Sequence, residues 1–252
     1  MSLADTEAAA PTVVSELDPR TRLVAAFASV LVVISLNHLP IAAVALLAAL
    51  GLALVCGLGP SALTRRLAHL EGFMVVLLVL LPFTTPGVPV LELGGLSASR
   101  EGLARALLIV VKVNACAACI FALIGTLEPV RVGQAAARLG APEALVHLFL
   151  MMVRYVAVIR AETGRLREAM RARAFVPRTS LHTWRSLGQL CGMVLVRALE
   201  RAERVHEAMR CRGFDGRFPA PLSAFAFGPA DRAFGVAVGA VLAVLLVLEH
   251  LI

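Results

Sequence analysis

Two stretches of this sequence share a basic pattern. Glu168 to Phe175 reads EAMRARAF, and Glu207 to Phe214 reads EAMRCRGF. Six of eight positions agree, 39 residues apart. Each stretch sets two arginines (Arg171 and Arg173; Arg210 and Arg212) between a methionine (Met170; Met209) and a phenylalanine (Phe175; Phe214). Two readings are open. Arginines in a last helical turn face the negative end of the helix dipole, a gain of about 0.3–1 kcal/mol each. Capping explains the arginines but not the shared Glu-Ala-Met or the phenylalanine. A charged helix end flanked by Met and Phe also fits a groove with an acidic floor and apolar pockets. Two such ends suit two copies of one groove.

Other residues with chemical potential do not converge in the sequence. The six histidines (His38, His69, His147, His182, His206, His250) are dispersed, with no H-E-x-x-H and no G-x-S-x-G. An enzyme would need convergent catalytic groups, so none is expected here, and no catalytic or metal-binding residue is assigned. His206 lies among arginines and glutamates, as on a solvated helix face. The chain has one lysine, Lys112, in "VVKVN", which is not a phosphate-binding loop. Any nucleotide that drives this protein must bind another subunit. Five cysteines (Cys56, Cys116, Cys119, Cys191, Cys211) form no disulfide framework. "CAAC" at 116–119 has metal or redox spacing, but it sits among small apolar residues, where close helix packing is the plainer reading.

The elements that must position the arginines belong to a membrane protein. Of 252 residues, 59% are hydrophobic and 16% charged, with a mean hydropathy of +0.85. Soluble domains run nearer 25% charged. A spanning helix needs about 20 mostly apolar residues, and five stretches approach this: Leu23–Leu36, Ile41–Leu58, Phe73–Leu91, Leu103–Leu127 and Ala233–Ile252. Pro40 is expected to keep Leu39 out of the second helix, and Pro82 and Pro86 to end or bend the third. Lys112 reads two ways: an intramembrane charge on a functional pathway, or a side chain that snorkels to the interface. The apolar run at 144–159 is cut by Arg154. It is expected to be a buried or interfacial helix, too short to cross.

Arginine placement sets the orientation. Arg20 and Arg22 precede the first span, Arg65 and Arg66 follow the second, and residues 128–232 hold 17 arginines against 9 acids. With the N-terminus inside, every basic group falls on the cytoplasmic side. Residues 1–22, which lack the basic start and apolar core of a secretory signal, are expected to form a cytoplasmic tail. Residues 23–127 then hold four spans, 128–217 a cytoplasmic or interfacial segment, and 233–252 the last span.

Within that segment, 156–175 and 182–213 read as two long helices. Leu187, Leu190, Cys191, Val194, Ala198, Ala202, Val205 and Met209 recur near the helical period. Gly213 suits a position of positive φ after the second helix, and Pro177 and Pro219 follow each helix as stops. The charges interleave with acids and no aromatic platform for bases appears, so no nucleic acid partner is expected. Anionic lipid headgroups suit the membrane-facing arginines better.

Four stretches now carry a resemblance: "LDPRTRL" before the first span, "SREGL" at 99–103, "MVRYVAVIRAETGRLREAM" at 152–170, and "RSLGQLCGMVLVRALERAERVHEAMRCRGFDGR" at 185–217. Over about residues 17–252 the chain resembles the transmembrane T component of energy-coupling factor transporters, of the CbiQ type found in cobalt and nickel uptake. The resemblance implies an all-α integral membrane protein of the bacterial inner membrane, with about five transmembrane helices and two long cytoplasmic coupling helices. It implies a non-catalytic subunit that binds no cofactor, with ATP and Mg on a pair of ABC-type ATPases. The other partners would be a substrate-capturing CbiM-like subunit with its small CbiN-like companion, and membrane lipids. Family coupling helices end in Ala-Arg-Gly-like triplets whose arginine meets the ATPases. The matching positions are Ala172-Arg173-Ala174 and Cys211-Arg212-Gly213. Ala174 stands where the pattern has glycine, which predicts that the first helix lacks a left-handed end.

Overall fold

The computed structural model describes residues 17–85, 89–93, 96–214 and 227–251. The first sixteen residues of the expected tail lie outside these, as do Pro86, Arg217 and Pro219. In chain order the described elements are α1 (Pro19–Ser35), α2 (Leu39–Val55), α3 (Pro60–Thr84), β1 (Pro89–Leu93), β2 (Leu96–Ser99), α4 (Arg100–Leu123), α5 (Pro129–Arg138), α6 (Glu143–Ala172), α7 (Leu181–Cys211) and α8 (Pro229–Leu251). Among the described residues the fold is all-α apart from one short antiparallel hairpin, in which Leu91 pairs with Ala98 and Leu93 with Leu96. The chain divides into two compact units. The first is Met1–Ala135 with Ala224–Ile252; the second is Ala136–Ser223.

The first unit is built on small residues. Ala45, Ala49 and Ala53 of α2 are buried with Ala115, Ala118, Cys119 and Ala122 of α4. With no side chain beyond a methyl or thiol, the two backbones approach closely and gain van der Waals contact along their length. This seam contains the C-x-x-C pair: Cys119 is buried in it, Cys116 packs at its edge, and both thiols are free. Helix α2 starts at Leu39 after all, with Pro40 in its first turn and His38 as its cap. Proline is tolerated there because the first-turn N–H groups have no intrahelical partner.

Helix α3 departs most from the sequence reading. It begins at Pro60, not Phe73, and ends at Thr84; the last residues of the expected span lie in β1. Two charged residues of its polar first half meet partners on α4. The Arg66 guanidinium lies 5.8 Å from the Phe121 ring centre, and the Asn114 amide donates to Glu71 at 3.1 Å. At the other end of this pair, Ser99 caps α4 by accepting from the Gly102 N–H at 3.0 Å. A Cβ on Gly102 would fall 2.8 Å from the Pro82 backbone, so glycine there lets α3 and α4 touch. Lys112 donates to the Ile34 carbonyl at 3.0 Å. That carbonyl is among the last four of α1, where the helix dipole favours a cation.

In the second unit the apolar run and the first arginine-rich helix are one element. Helix α6 is continuous for 30 residues, about 45 Å at the standard rise. Arg154 interrupts the hydropathy but not the helix, since arginine is a good helix former. Among the described residues, four helices are long and apolar enough to cross a membrane: α3, α4, α6 and α8. Helix α2 is apolar but has 17 residues. The set thus includes α6, which the sequence reading kept out of the membrane, and omits α1. Helix α5 was not anticipated. Proline opens it, and Gly140 at φ +92° closes it with a left-handed turn.

Candidate functional site

Both octapeptides end their helices in the same way. At the end of α6 the Phe175 N–H donates to the Met170 carbonyl at 3.1 Å and the Ala174 N–H to the Arg171 carbonyl at 2.9 Å. At the end of α7 the Phe214 N–H donates to the Met209 carbonyl at 3.1 Å and the Gly213 N–H to the Arg210 carbonyl at 3.0 Å. This crossed pair satisfies carbonyls that a helix end leaves without partners, and it requires a left-handed residue between them. Gly213 has φ +79° and Ala174 has φ +59°. The expectation that Ala174 would forgo the left-handed cap is therefore corrected. Ala174 is the only non-glycine residue with positive φ among those described.

Exposure matches too. Met170 and Phe175 are half-buried, as are Met209 and Phe214. Arg171, Ala172, Arg173 and Ala174 are exposed, as are Arg210, Cys211, Arg212 and Gly213. Among the described residues none of these four arginines forms an ion pair. The structure thus brings each predicted set of six together at one helix end.

The two ends point away from a shared crossing. Glu162 of α6 is buried and pairs with Arg197 of α7 and with Arg165 on its own helix. Towards the start of α6, a groove of about 330 Å³ is lined by Met151 and Tyr155 and by Val205, His206 and Met209 of α7. The helices therefore run in opposite directions. Arg173 lies 11 residues beyond Glu162 and Arg212 lies 15 beyond Arg197, so the tips stand about 16 Å and about 22 Å from the crossing. Sequence reasoning missed Glu162. Its signal was an acid three residues before Arg165 on an arginine-rich helix, but only packing showed the partner on α7.

The connection between the helices braces the first tip. The Phe175 and His182 rings lie 6.5 Å apart, Ser180 caps α7 through the Thr183 N–H at 3.3 Å, and the Arg178 N–H donates to the Thr183 hydroxyl at 3.1 Å. What such ends can do chemically is bind: they present charge-assisted donors on a rigid rod. Among the described residues no three His, Cys, Asp or Glu side chains are grouped as a metal site would need.

Comparison with known families decides the class. The family model described as CbiQ, cobalt transport protein, matches residues 10–221. The chain belongs to this family. It is a transporter component, and with four membrane-crossing candidates among the described residues it is a multi-pass membrane protein. No curated protein matches the chain. CbiQ proteins are generally part of multi-subunit cobalt transport systems, which gives the paired helix ends a context.

Proposed function

We propose that this chain is the coupling subunit of an ATP-driven uptake transporter for cobalt. Its two arginine-tipped helix ends would seat in equivalent grooves on a dimer of ABC-type ATPases, with ATP and Mg held there. ATP binding closes the dimer and moves the seated tips. The rods bearing them tilt, and the displacement passes to a substrate-capturing membrane subunit, a rigid-body change of the hinge and shear kind. This reading has the N-terminus and both tips in the cytoplasm and the protein in the bacterial inner membrane.

The observation that supports it best is the duplication. Two octapeptides carry the same cap, the same exposed arginines and the same half-buried Met and Phe, on helices that point opposite ways. Capping needs no such match in side chains, whereas a twofold partner does. The test is recovery of the ATPases with this chain in detergent after Arg173→Ala, Arg212→Ala and both together. Recovery should fall in each single variant and fall furthest in the double, with membrane insertion unchanged. Full recovery with both arginines gone would remove the proposal.

A further inference from the structure

Helix α8 leaves a gap within the first unit. A cleft of about 350 Å³ lies between it and α1, α2 and α4. Phe234, Val238 and Leu242 line the α8 side, and Ala45, Ala48 and Ala49 the α2 side. Alanine ends at a methyl, so α2 offers little to fill the space. Among the described residues none that lines the cleft is charged. Both ends of α8 are held by groups that flank α1. The Asp18 N–H donates to Asp231 at 2.7 Å, and the Asn37 N–H to Glu249 at 2.6 Å. A helix pinned along α1 in this way does not close onto α2. A gap in packing forfeits dispersion contacts along its lining, and in a bilayer the filler at hand is hydrocarbon.

The size of the cleft selects the filler. Its α8 lining runs from Phe234 to Leu245, about 16 Å of helix. A further helix with its side chains is about 10 Å across, or roughly 1,200 Å³ over that length. The cleft is too small for one, whereas a single acyl chain fits.

Two side chains of opposite charge stand past one end of the cleft. Lys112 of α4 donates to the Ile34 carbonyl at 3.0 Å, and Glu249 of α8 accepts the Asn37 N–H. Only Ser35 and Leu36 separate these two contact points. Glu249 is one turn beyond Leu245, and Lys112 is two turns before Cys119, so each continues a helix face that lines the cleft. Lys112 and Glu249 are not paired with each other. An ammonium has three donors, and Lys112 uses one of them on Ile34. The second oxygen of Glu249, Oε2, is buried without a hydrogen-bond partner among the described residues. A buried acceptor left in that state is costly.

We propose that the cleft binds one acyl chain of a zwitterionic phospholipid with a primary-amine headgroup, its phosphate on Lys112 and its amine on Glu249. The chain by itself gives little preference, because lipid tails are as apolar as the lining they would meet. Selection comes from the headgroup. An anionic headgroup satisfies Lys112 but leaves Glu249 facing negative charge. A choline headgroup brings positive charge without the N–H that Oε2 lacks. The amine headgroup answers both. The bound chain then supplies the packing that the alanines of α2 do not.

The test uses the full chain, purified in detergent, and native mass spectrometry with phosphatidylethanolamine, phosphatidylcholine and phosphatidylglycerol of matched acyl chains. The wild-type chain should hold one phosphatidylethanolamine at least tenfold more tightly than either of the others. Lys112→Met and Glu249→Gln should each lower that affinity at least fivefold, with Lys112→Arg within about twofold of wild type. Ala48→Leu, which fills the cleft and leaves both charges in place, should remove the bound lipid. Equal affinity of the wild-type chain for the three lipids overturns the proposal without any variant. So does undiminished binding in Ala48→Leu. In native membranes, a phosphatidylethanolamine carrying a diazirine in its acyl chain should label the α2 and α8 linings on illumination. Labelling spread evenly over the membrane helices, or an Ala48→Cys chain that crosslinks to a helix of another subunit, gives the cleft to bulk lipid or to protein and overturns the proposal.

Discussion

At the end of α7, Gly213 makes the left-handed turn that lets Phe214 reach back to Met209; at the end of α6, Ala174 makes the same turn for Phe175 and Met170. Glycine adopts that conformation freely, whereas an L-residue with a Cβ is strained by about 1–2 kcal/mol. The strain at Ala174 is held by the next ten residues of the chain. These run from Phe175 through a short connection into α7, with the His182 ring, the Ser180 cap and the Arg178–Thr183 hydrogen bond fixing the path. A turn braced on both sides does not need glycine to form. The two ends show that the exposed arginine, the half-buried phenylalanine and the crossed hydrogen bonds define the feature, and that the residue at the turn is secondary.

The largest break in this equivalence would come from the arginines. A hydrogen bond to a charged group contributes about 1.5–3 kcal/mol, so each of Arg173→Ala and Arg212→Ala should weaken ATPase association by at least tenfold, read by titrating the ATPases onto the purified chain. If one single change did nothing while the other abolished binding, the ends would not be equivalent. Next in size is Phe175→Ala, which removes a half-buried ring from the braced end and should destabilise the α6–α7 connection by about 1 kcal/mol. Faster hydrogen exchange at the amides of residues 174–183 would report it. Gly213→Ala should cost the second end about 1 kcal/mol, seen as weaker protection of the Phe214 amide. Ala174→Gly should strengthen the first cap by less than about 1 kcal/mol, because glycine's extra freedom in the unfolded chain offsets part of the strain relieved. The smallest effect belongs to the exchange itself: Ala172→Cys with Ala174→Gly gives the first end the second end's triplet, and cobalt uptake should stay within about twofold of wild type.

Where apolar residues run unbroken, helix positions could be read from the sequence: α2, α4 and α8 lie within a few residues of the expected spans. The two largest misses, α3 and α6, share one cause. Helix α3 was cut short because Arg65, Arg66, His69 and Glu71 break its hydropathy, and α6 because Arg154 does. Hydropathy registers the cost of a charge without its partner. Arg66 over Phe121 and Glu71 with Asn114 are partners on α4, more than 40 residues away in sequence. The same limit hid the buried contacts at the start of α1. "LDPRTRL" stood out as a family signature, but nothing local says that Arg22 meets the end of α4 or that Asp18 meets Asp231 at a sequence distance of 213.

The repeated octapeptide, the helical period, the basic surplus after residue 127 and the membrane class were determined by the sequence alone, because each depends on composition or short-range spacing. That the two tips diverge from a Glu162–Arg197 crossing, that Ala174 turns left-handed, and that Asp18 and Arg22 meet Asp231 and the end of α4 was decided only by the tertiary structure. Each of these depends on a partner supplied from far along the chain, and the free energy of a buried charge or a strained turn is set by that partner.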